Sequence, residues 1–595
     1  MKRFAGFVLC VILVFFLLSV QAVAENIAEV KLGGVLLMRI RGAPDAGARA
    51  DTIENRIKKG IEKGLDPGKV RVEEHYHSAD IMWEDMRICT IDRRLAKANR
   101  SDPAGLAKKI AWRLKTTLKG GMLTLTPDEL VMPVGGKQTV RVGGFLKKGL
   151  KLISASQVVR VSLAEDGGSM GIEAISPGRG MVIVARGPFR AKMKVIVKEW
   201  AGTMNKSTET WITGNPVPID VIERAALAAA AEACKVKPGA GITLAGDVGI
   251  FDSSLEQQEM LARVPLEIKG RGYFTLNGTI SVNIKNKKIE IVPPTTLMVS
   301  NRPEEIKENG ILISGSLDRE NPIRLLYSHK NGGEKTRIIW VSLENPGDEP
   351  ARALVIPATA GPSPYEMAVG IRSVQRFLEC LAGKAGYIVN LPVKSSITLS
   401  EQWLSKGDVV GGFFQVQALQ GDDLTLKVTT TEVGAQEDIL GMIPPRFDPF
   451  RVHPHGIFSG PDFILEGELR FPDGEADFEI GGEPYLLDDE SGQPNLGNYG
   501  SLYQINITMD NPDDKEHVLE LYFEPLNGIS QACFMISGRI YNIGMTRPGA
   551  RICWYRESIP PGTKKEMTIY TMPQPGSYYP VKLTARYSNS GGGAF

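Results

Sequence analysis

Cysteine is scarce in this chain, with six in 595 residues. No two are spaced as C-x-x-C, which excludes a disulfide-dense scaffold and a thiolate metal cluster. Net charge is equally slight. The 70 Lys and Arg outnumber the 68 Asp and Glu by only the two bases Lys2 and Arg3, so the surplus that nucleic acid or an anionic membrane surface calls for is missing. Beyond residue 24 no run approaches the ~20 apolar residues of a membrane span. The six histidines include no H-E-x-x-H, and no serine sits in G-x-S-x-G, so the common metalloprotease and hydrolase signatures are absent. GLDPGKV at 64–70 is one residue short of a P-loop between its glycines and lacks the Ser/Thr that would hold magnesium; it reads as a helix stop and turn.

What is present begins with an address. MKRFAGFVLCVILVFFLLSVQAVA joins Lys2 and Arg3 to an apolar stretch from Phe4 to Val20 and to Ala22-Val23-Ala24. These are the three parts of a secretory signal peptide cleaved near Ala24, with an uncleaved anchor as the alternative. The expected location is extracytoplasmic, in the periplasm or at the cell surface, with no transmembrane segment in the mature chain. Removing the leader leaves enough chain for about four domains of ~150 residues. With 64 Gly and 37 Pro, turn-rich β domains are favoured.

The expected fold class is multi-domain and mainly β, with Ig-like β-sandwiches preceded by a small α/β module and one α+β domain. The signal peptide (1–24) is followed by the α/β module at 25–120 and a sandwich at 121–213. An α+β domain at 214–318 leads to a second sandwich at 319–432 with a helical insertion at 363–382. A Pro-rich linker at 433–462, a C-terminal sandwich at 463–588 and a Gly-rich tail at 589–595 complete the chain.

In the first module, Ala50, Ile53, Ile57 and Ile61 recur at helical spacing until Gly64 and Pro67, and Asp102-Pro103 opens a second helix carrying Leu106, Ile110 and Leu114. The run ICTIDRRLAKANRSDPAGLAKKIAWRLKTTL, within residues 28–118, resembles the extracytoplasmic N-terminal module of some bacterial envelope proteins, including cyanobacterial-type mechanosensitive channels. The channel's membrane spans have no counterpart here, so the resemblance does not imply a channel. Next, LTLTPDELVMPVGGKQTVRVGG alternates apolar and polar residues, and ISPGRGMVIVA with AKMKVIVKEW adds two strands after a Pro-Gly turn. This arrangement resembles bacterial Ig-like domains of the group 2 type. The alanine-rich helix from Ile219 to Cys234 is suited to lie close against a sheet.

A repeated grammar marks the second half. Strand Ile323–His329, turn Asn331-Gly332-Gly333 and strand Thr336–Leu343 read as a hairpin. LENPGDEPARALVIP at 343–357 then turns into the next strand, and ITMDNPDDKEHVLELYFEP at 507–525 repeats it. LSKGDVV at 404–410 and IPPGTKK at 559–565 follow downstream, so two copies of one unit are expected. The acids Glu344, Asp348 and Glu349 belong to a turn in which Asn bonds local backbone and Pro fixes φ; no EF-hand spacing accompanies them. The Asn-Pro-x-Asp turn resembles bacterial Ig-like adhesion repeats of the CARDB kind. Between the copies, SPYEMAVGIRSVQRFLECLAG at 363–383 begins with a Ser363/Glu366 capping box and lines up Met367, Ile371, Val374, Leu378 and Leu381 on one side. It reads as a helix packed over a sheet rather than one that binds a partner.

Chemistry has few candidates. His75 and His77, two apart on an expected strand, would share a face with Glu73 or Asp80 nearby, and His453 and His455 form a second pair; these four are the weak metal candidates. Asp488, Asp489 and Glu490, with Tyr485, Tyr499 and Tyr503, are the candidate ligand residues of the C-terminal domain. A glycosidase needs two carboxylates facing each other across a cleft, which adjacent residues rarely provide. Cys533 and Cys553 lie in apolar strand-like runs and could form a disulfide or remain buried thiols.

The expectation is a non-catalytic secreted or cell-envelope protein presenting Ig-like domains for adhesion or scaffolding. Its partner would be an envelope protein or polysaccharide, with no nucleic acid and no cofactor, calcium being the one left open. The alternative is a glycan-directed hydrolase or glycan-binding protein with its site in the C-terminal β domain.

Overall fold

The computed structural model describes residues 26–145, 149–186, 189–251, 259–434, 454–471 and 474–588. The leader, His453, most of the Pro-rich linker and the Gly-rich tail lie outside them. Among the described residues strands hold 55% and helices 15%, so the chain is mainly β, with Ig-like sandwiches after an α/β module. It divides into two compact units. One runs to Gly202 and includes Lys237–Gly241 and Ile268–Leu276; the other holds Thr203–Val236, Ile242–Glu267 and the chain from Asn277 onward.

The first unit opens with the hairpin Ile27–Leu32/Val35–Arg41, helix α1 (Ala46–Lys63), a three-stranded antiparallel sheet (Val70–Glu74, Ser78–Trp83, Met86–Asp92) and helices α2 (Arg93–Ala98) and α3 (Pro103–Gly121). α1 buries Ala50, Ile53, Ile57 and Ile61, the positions whose spacing identified it, and stops at Gly64 with φ 69°. Asp102 caps α3 by accepting from the Gly105 N–H at 2.8 Å, one of the donors a helix start leaves without a partner. A sandwich of two four-stranded sheets follows, closed over Val140, Val142, Met170, Ile172, Val182, Val184, Met193 and Val195.

The boundaries expected at 213 and 318 do not hold. Strand Ser207–Thr213 pairs in parallel with residues 281–286 and antiparallel with Gly386–Leu391 at Ile212↔Tyr387. The α+β segment is therefore an extension of the next sandwich's sheet, and helix α4 (Ile219–Glu232) lays Val221, Ile222 and four alanines into the same core. Arg224 of α4 donates to the Leu399 carbonyl at 3.0 Å and to Thr359 Oγ1 at 2.6 Å. Thr296–Ser300 and Gly310–Leu317 also belong to that sandwich, pairing with Ile323–Asn331 and Leu424–Glu432.

The two sandwiches of this second unit share one topology. In the earlier one the strands run Thr296–Ser300, Ile323–Asn331, Val409–Gln420, Ala351–Ser363, Gly386–Leu391 in one sheet, opposed by Gly310–Leu317, Leu424–Glu432, Arg337–Asn345, Ser395–Leu404. In the C-terminal one they run Asp462–Arg470, Leu502–Asn511, Thr563–Thr571, Ser530–Ile536, Arg539–Thr546, opposed by Glu475–Ile480, Val581–Ser588, His517–Pro525, Ile552–Ile559. Where the C-terminal copy turns tightly at Ser537-Gly538, the earlier one inserts helix α5 (Glu366–Gly383).

α5 begins at Tyr365 rather than in a Ser363/Glu366 box; Ser363 Oγ accepts instead from the Tyr365 N–H at 3.1 Å. Its fully covered side chains are Val369, Ser373, Val374, Phe377, Leu378 and Cys380, while Met367, Ile371 and Leu381 are half-buried. The covered surface is wider than one stripe because α5 is clamped from two sides. Cys380 lies 3.6 Å from the Pro357 carbonyl and Arg376 bonds the Thr359 carbonyl in its own sandwich, while Asn542 of the C-terminal sandwich donates to Gln375 at 3.2 Å and Gln531 bonds the Met367 carbonyl. At Gly370 a Cβ would lie 2.0 Å from the Pro575 carbonyl oxygen.

Gly→Ala in an unpacked helix stabilises by about 1 kcal/mol. Gly370→Ala is expected to reverse that sign, lowering the melting midpoint, because the added methyl meets backbone. Leu378→Ala should cost about 2–5 kcal/mol. Denaturant titration of both variants checks the clamp; a Gly370→Ala protein as stable as the parent would refute it.

Candidate functional site

The Asn-rich turns were the strongest sequence signal, and the structure gives them a common job. Strands Ile323–Asn331, Arg337–Asn345 and Leu502–Asn511 each end on an asparagine, and each is followed by a strand in the opposite sheet. The segment at 323–343 is thus an arch between two sheets and not a hairpin. At an arch the ladder stops, and strand-end amides and carbonyls need new partners.

Asn331, Asn345 and Asn511, exposed by 1%, 2% and 0%, supply them. In each, the side-chain oxygen accepts from the N–H two residues on: Gly333 at 2.9 Å, Gly347 at 3.0 Å, Asp513 at 3.2 Å. The side-chain amide then donates to the carbonyl four residues on, at Lys335, Glu349 and Lys515. It donates as well to the neighbouring arch: Leu404 at 3.0 Å, Leu391 and Pro392 at 3.2 and 3.1 Å, Ile559 and Pro560 at 3.0 Å each. One amide therefore latches two arches.

By topology the equivalent of Asn511 is Asn331, and LSKGDVV and IPPGTKK occupy equivalent arches. LENPGDEP occupies the next arch, so its sequence match to MDNPDDKE joins non-equivalent positions with the same latch. The partner of Asn345 is LPVKS at 391–395, where Ser395 Oγ donates to the Pro392 carbonyl at 2.7 Å, as Thr563 Oγ1 does to Pro560 at 2.5 Å. A P-x-x-[ST] signal was available and went unread. The acids at the Asn345 turn diverge: Glu344 bonds Lys427, and exposed Asp348 pairs with Lys394 at 2.8 Å.

The other candidates separate in the same way. His75, Tyr76 and His77 stand in the exposed turn between Val70–Glu74 and Ser78–Trp83, not on a strand, so the expected shared face does not exist. His75 Nε2 faces Asp80 at 3.4 Å, whereas His77 lies against the ring of Tyr76. No group of three or more His, Cys, Asp or Glu with metal-binding geometry occurs among the described residues. Cys533 and Cys553 are free thiols on strands of opposite sheets, so the disulfide does not form here; Cys533 packs into the core and its thiol is pushed up to about 12 by burial.

Asp488 is buried and accepts from the Ile457 N–H at 2.7 Å, the Ser491 N–H at 2.9 Å and Ser491 Oγ at 2.6 Å. Burial pushes its carboxyl up, but the bonds from Ser491 and Ile457 outweigh burial and hold it below the ordinary range. Asp489 accepts from Ser459 Oγ at 2.9 Å. Both acids thereby fasten the strand Gly456–Ser459, which pairs with Thr296–Ser300 as the chain enters the C-terminal sandwich. Tyr499 donates to the Ser577 carbonyl at 2.7 Å, and the Tyr503 hydroxyl accepts from the Gly481 N–H at 3.0 Å. Glu490 is exposed and Tyr485 half-buried. Asp488, Tyr499 and Tyr503 are thus tied to neighbouring backbone, while Asp489 and Glu490 stay exposed at the surface of the same loop.

Beside this strap lies a residue that sequence reading missed. His329 is buried; its Nδ1–H donates to the Pro303 carbonyl at 2.9 Å and its Nε2 accepts from Ser300 Oγ at 2.9 Å. Burial pulls its pKa to about 4 despite the Pro303 bond, with His455 opposing protonation and Glu304 favouring it. His455 is likewise held at about 4 by burial and by Arg302, against the pull of Asp488. No spacing rule marks a single histidine inside a strand.

No family model and no curated protein matches the chain. Solved structures similar to parts of it include the S-layer protein SbsC, domains 5–6 (13% identical, covering 28% of this chain and 98% of that one, TM-score 0.13). Others are the insect immune protein hemolin (9%, 34% and 63%, 0.16) and the titin Ig tandem A164–A165 (8%, 28% and 95%, 0.12).

Asn345→Ala strands buried carbonyls in two arches and is expected to cost about 2–3 kcal/mol, whereas Asp348→Ala, at an exposed ion pair, should change stability by less than about 0.5 kcal/mol. Chemical denaturation of the pair separates a latch from a cation site. A second expectation concerns pH. An unfolded chain protonates His329 near 6.5 but the fold resists until about 4, so the stability it contributes is complete above 6.5 and is lost as pH falls between those values. The loss approaches about 3 kcal/mol. A urea midpoint measured from pH 7 to 4 should fall for the parent and fall less for His329→Gln.

Proposed function

We propose that this protein is a non-catalytic, secreted or envelope-held scaffold that presents joined Ig-like sandwiches for adhesion to a protein or polysaccharide of the cell envelope. The leader-like N-terminus supports the location, and no helix among the described residues is long and apolar enough to cross a membrane. The observation that carries the reading is the use made of the polar residues best suited to chemistry. Asp488, Asp489, Tyr499, Tyr503 and His329 each bond backbone or hydroxyl groups of their own chain, Asp488 and Asp489 doing so on the strand that leads into the C-terminal sandwich. A residue held this way stiffens a join, and a stiff join suits a protein whose work is to hold surfaces at fixed spacing.

A hydrolase centred on Asp488–Glu490 has less support, because two of the three acids bond the strap at Ile457 and Ser459, and adjacent acids rarely face each other across a cleft. The reading calls on no cofactor, calcium included. Incubation of the purified chain with peptidoglycan and a panel of polysaccharides is expected to give no products, while envelope fractions from the producing cells retain the protein. Turnover that disappears in Asp488→Ala or Asp489→Ala would overturn it.

A further inference from the structure

Two adjoining cavities of about 620 and 960 Å³ meet along Leu381, Ala382 and Leu502, forming one trough past the end of α5. Both volumes fall in the range of ligand sites, roughly 300–1,000 Å³. We propose that this trough binds an acidic oligosaccharide, which names a ligand class for the scaffold reading and rests on it.

The smaller cavity carries Tyr555 and Tyr570, with Glu557, Lys565 and Glu566 beside them. Tyr555 donates its hydroxyl to Glu557 at 3.1 Å, and Lys565 pairs with the same carboxylate. This end offers half-buried rings with an apolar face and a polar tip, together with carboxylates that can accept from sugar hydroxyls.

The larger cavity is lined by Lys288, Lys384 and Glu290 and by the Arg324–Asp462 pair, which leaves one cation in excess at this end. Lys288 and Lys384 line it, and neither forms an ion pair among the described residues. Arg324 stands in its wall, 1% exposed. Its Nη1 donates to Asp462 at 2.6 Å and its Nη2 to Gln415 at 3.4 Å, while its Nε is buried with no protein acceptor. The negative pole of α5 does not oppose an anion there, because the carbonyls of Cys380, Leu381 and Gly383 already accept from Ala385, Lys384 and Asn215.

A peptide fits less well than a sugar. Strand addition needs a run of free backbone donors along an edge, and the segment bordering the trough includes Pro293 and Pro294, which have none. Rings at one end and cations at the other match a saccharide with a carboxylate a few sugars from its stacking face.

The test is calorimetric titration of the chain from residue 25 with tri-galacturonate, its carboxyl-reduced neutral counterpart and a glutamate hexapeptide. Tri-galacturonate should bind with Kd on the order of 1 mM or tighter, and the neutral sugar at least about tenfold more weakly. Lys288→Glu with Lys384→Glu should lose about the same factor. Ala382→Trp, an exposed position between the two cavities, should block binding with an unchanged melting midpoint. Undetectable or equal binding of the two sugars, preference for the hexapeptide, or full binding by Ala382→Trp overturns the trough. Retention of Ala382→Trp on envelope fractions alongside no tri-galacturonate binding by the parent would reject the trough and leave the scaffold intact, whereas cleavage of tri-galacturonate would reject the scaffold.

Discussion

A sandwich is closed by chains that cross between its sheets, and every crossing breaks the ladder that satisfied the backbone. In this protein the repair is a buried asparagine amide. Its planar group carries an acceptor and two donors, enough to close its own turn and reach the next crossing. Aspartate would offer no donor and alanine nothing at all. Because Asn331 and Asn345 lie in the arches that enter and leave strand Arg337–Asn345, the same pair of sheets is pinned at opposite ends of the sandwich. Burial of Leu343, Val341 and Leu426 between them then follows as a consequence of fixed spacing.

The join between the two sandwiches obeys a different rule, since it is made by insertion. α5 occupies a connection that the C-terminal copy closes with Ser537 and Gly538, and it spends its second face on that copy. The fit depends on absence of side chain at Gly370, where the Pro575 carbonyl comes closest. Arg324 adds a charged tie: it lies on one sandwich, and Asp462, its partner, is the first residue of the other's opening strand. The pair joins a buried guanidinium to an exposed carboxylate; such a pair adds little net stability after desolvation, yet separating it leaves the buried charge without compensation. The tie therefore acts against opening more than it adds to folding.

Much of this was legible in the residues. Helices α1 and α3 announced themselves through spacing and caps, and the two late sandwiches through repeated turns and strands. The β-rich class followed from glycine, proline and alternation. What could not be read was partnership across the chain. Ser207–Thr213 looks like the last strand of one domain because strand sequences do not carry the name of their neighbours, and Gly386, its partner's first residue, lies far along the chain. The hairpin at 323–343 failed for a related reason: a turn rich in Asn and Gly serves a return within one sheet and a crossing to another equally well. Among the site residues, Asp488 and Tyr503 were found by type, but their hydrogen bonds run to backbone groups whose position only the fold decides.

That last distinction bears on how polar residues in such a chain should be weighed. Catalytic groups and structural latches draw on the same residue types, and both are buried, bonded and shifted in pKa. They differ in what their bonds reach. Asp488 has one oxygen engaged by Ile457 of the strap and the other by Ser491 of its own loop, and His329 has both ring nitrogens occupied. A group whose polar atoms are each bonded by its own chain is held in place as a latch. Arg324 is held in the same manner, its Nη1 and Nη2 committed to Asp462 and Gln415 and its Nε closed off from solvent. What the bonds reach, rather than the perturbed pKa, therefore marks these residues as parts that hold their own fold together.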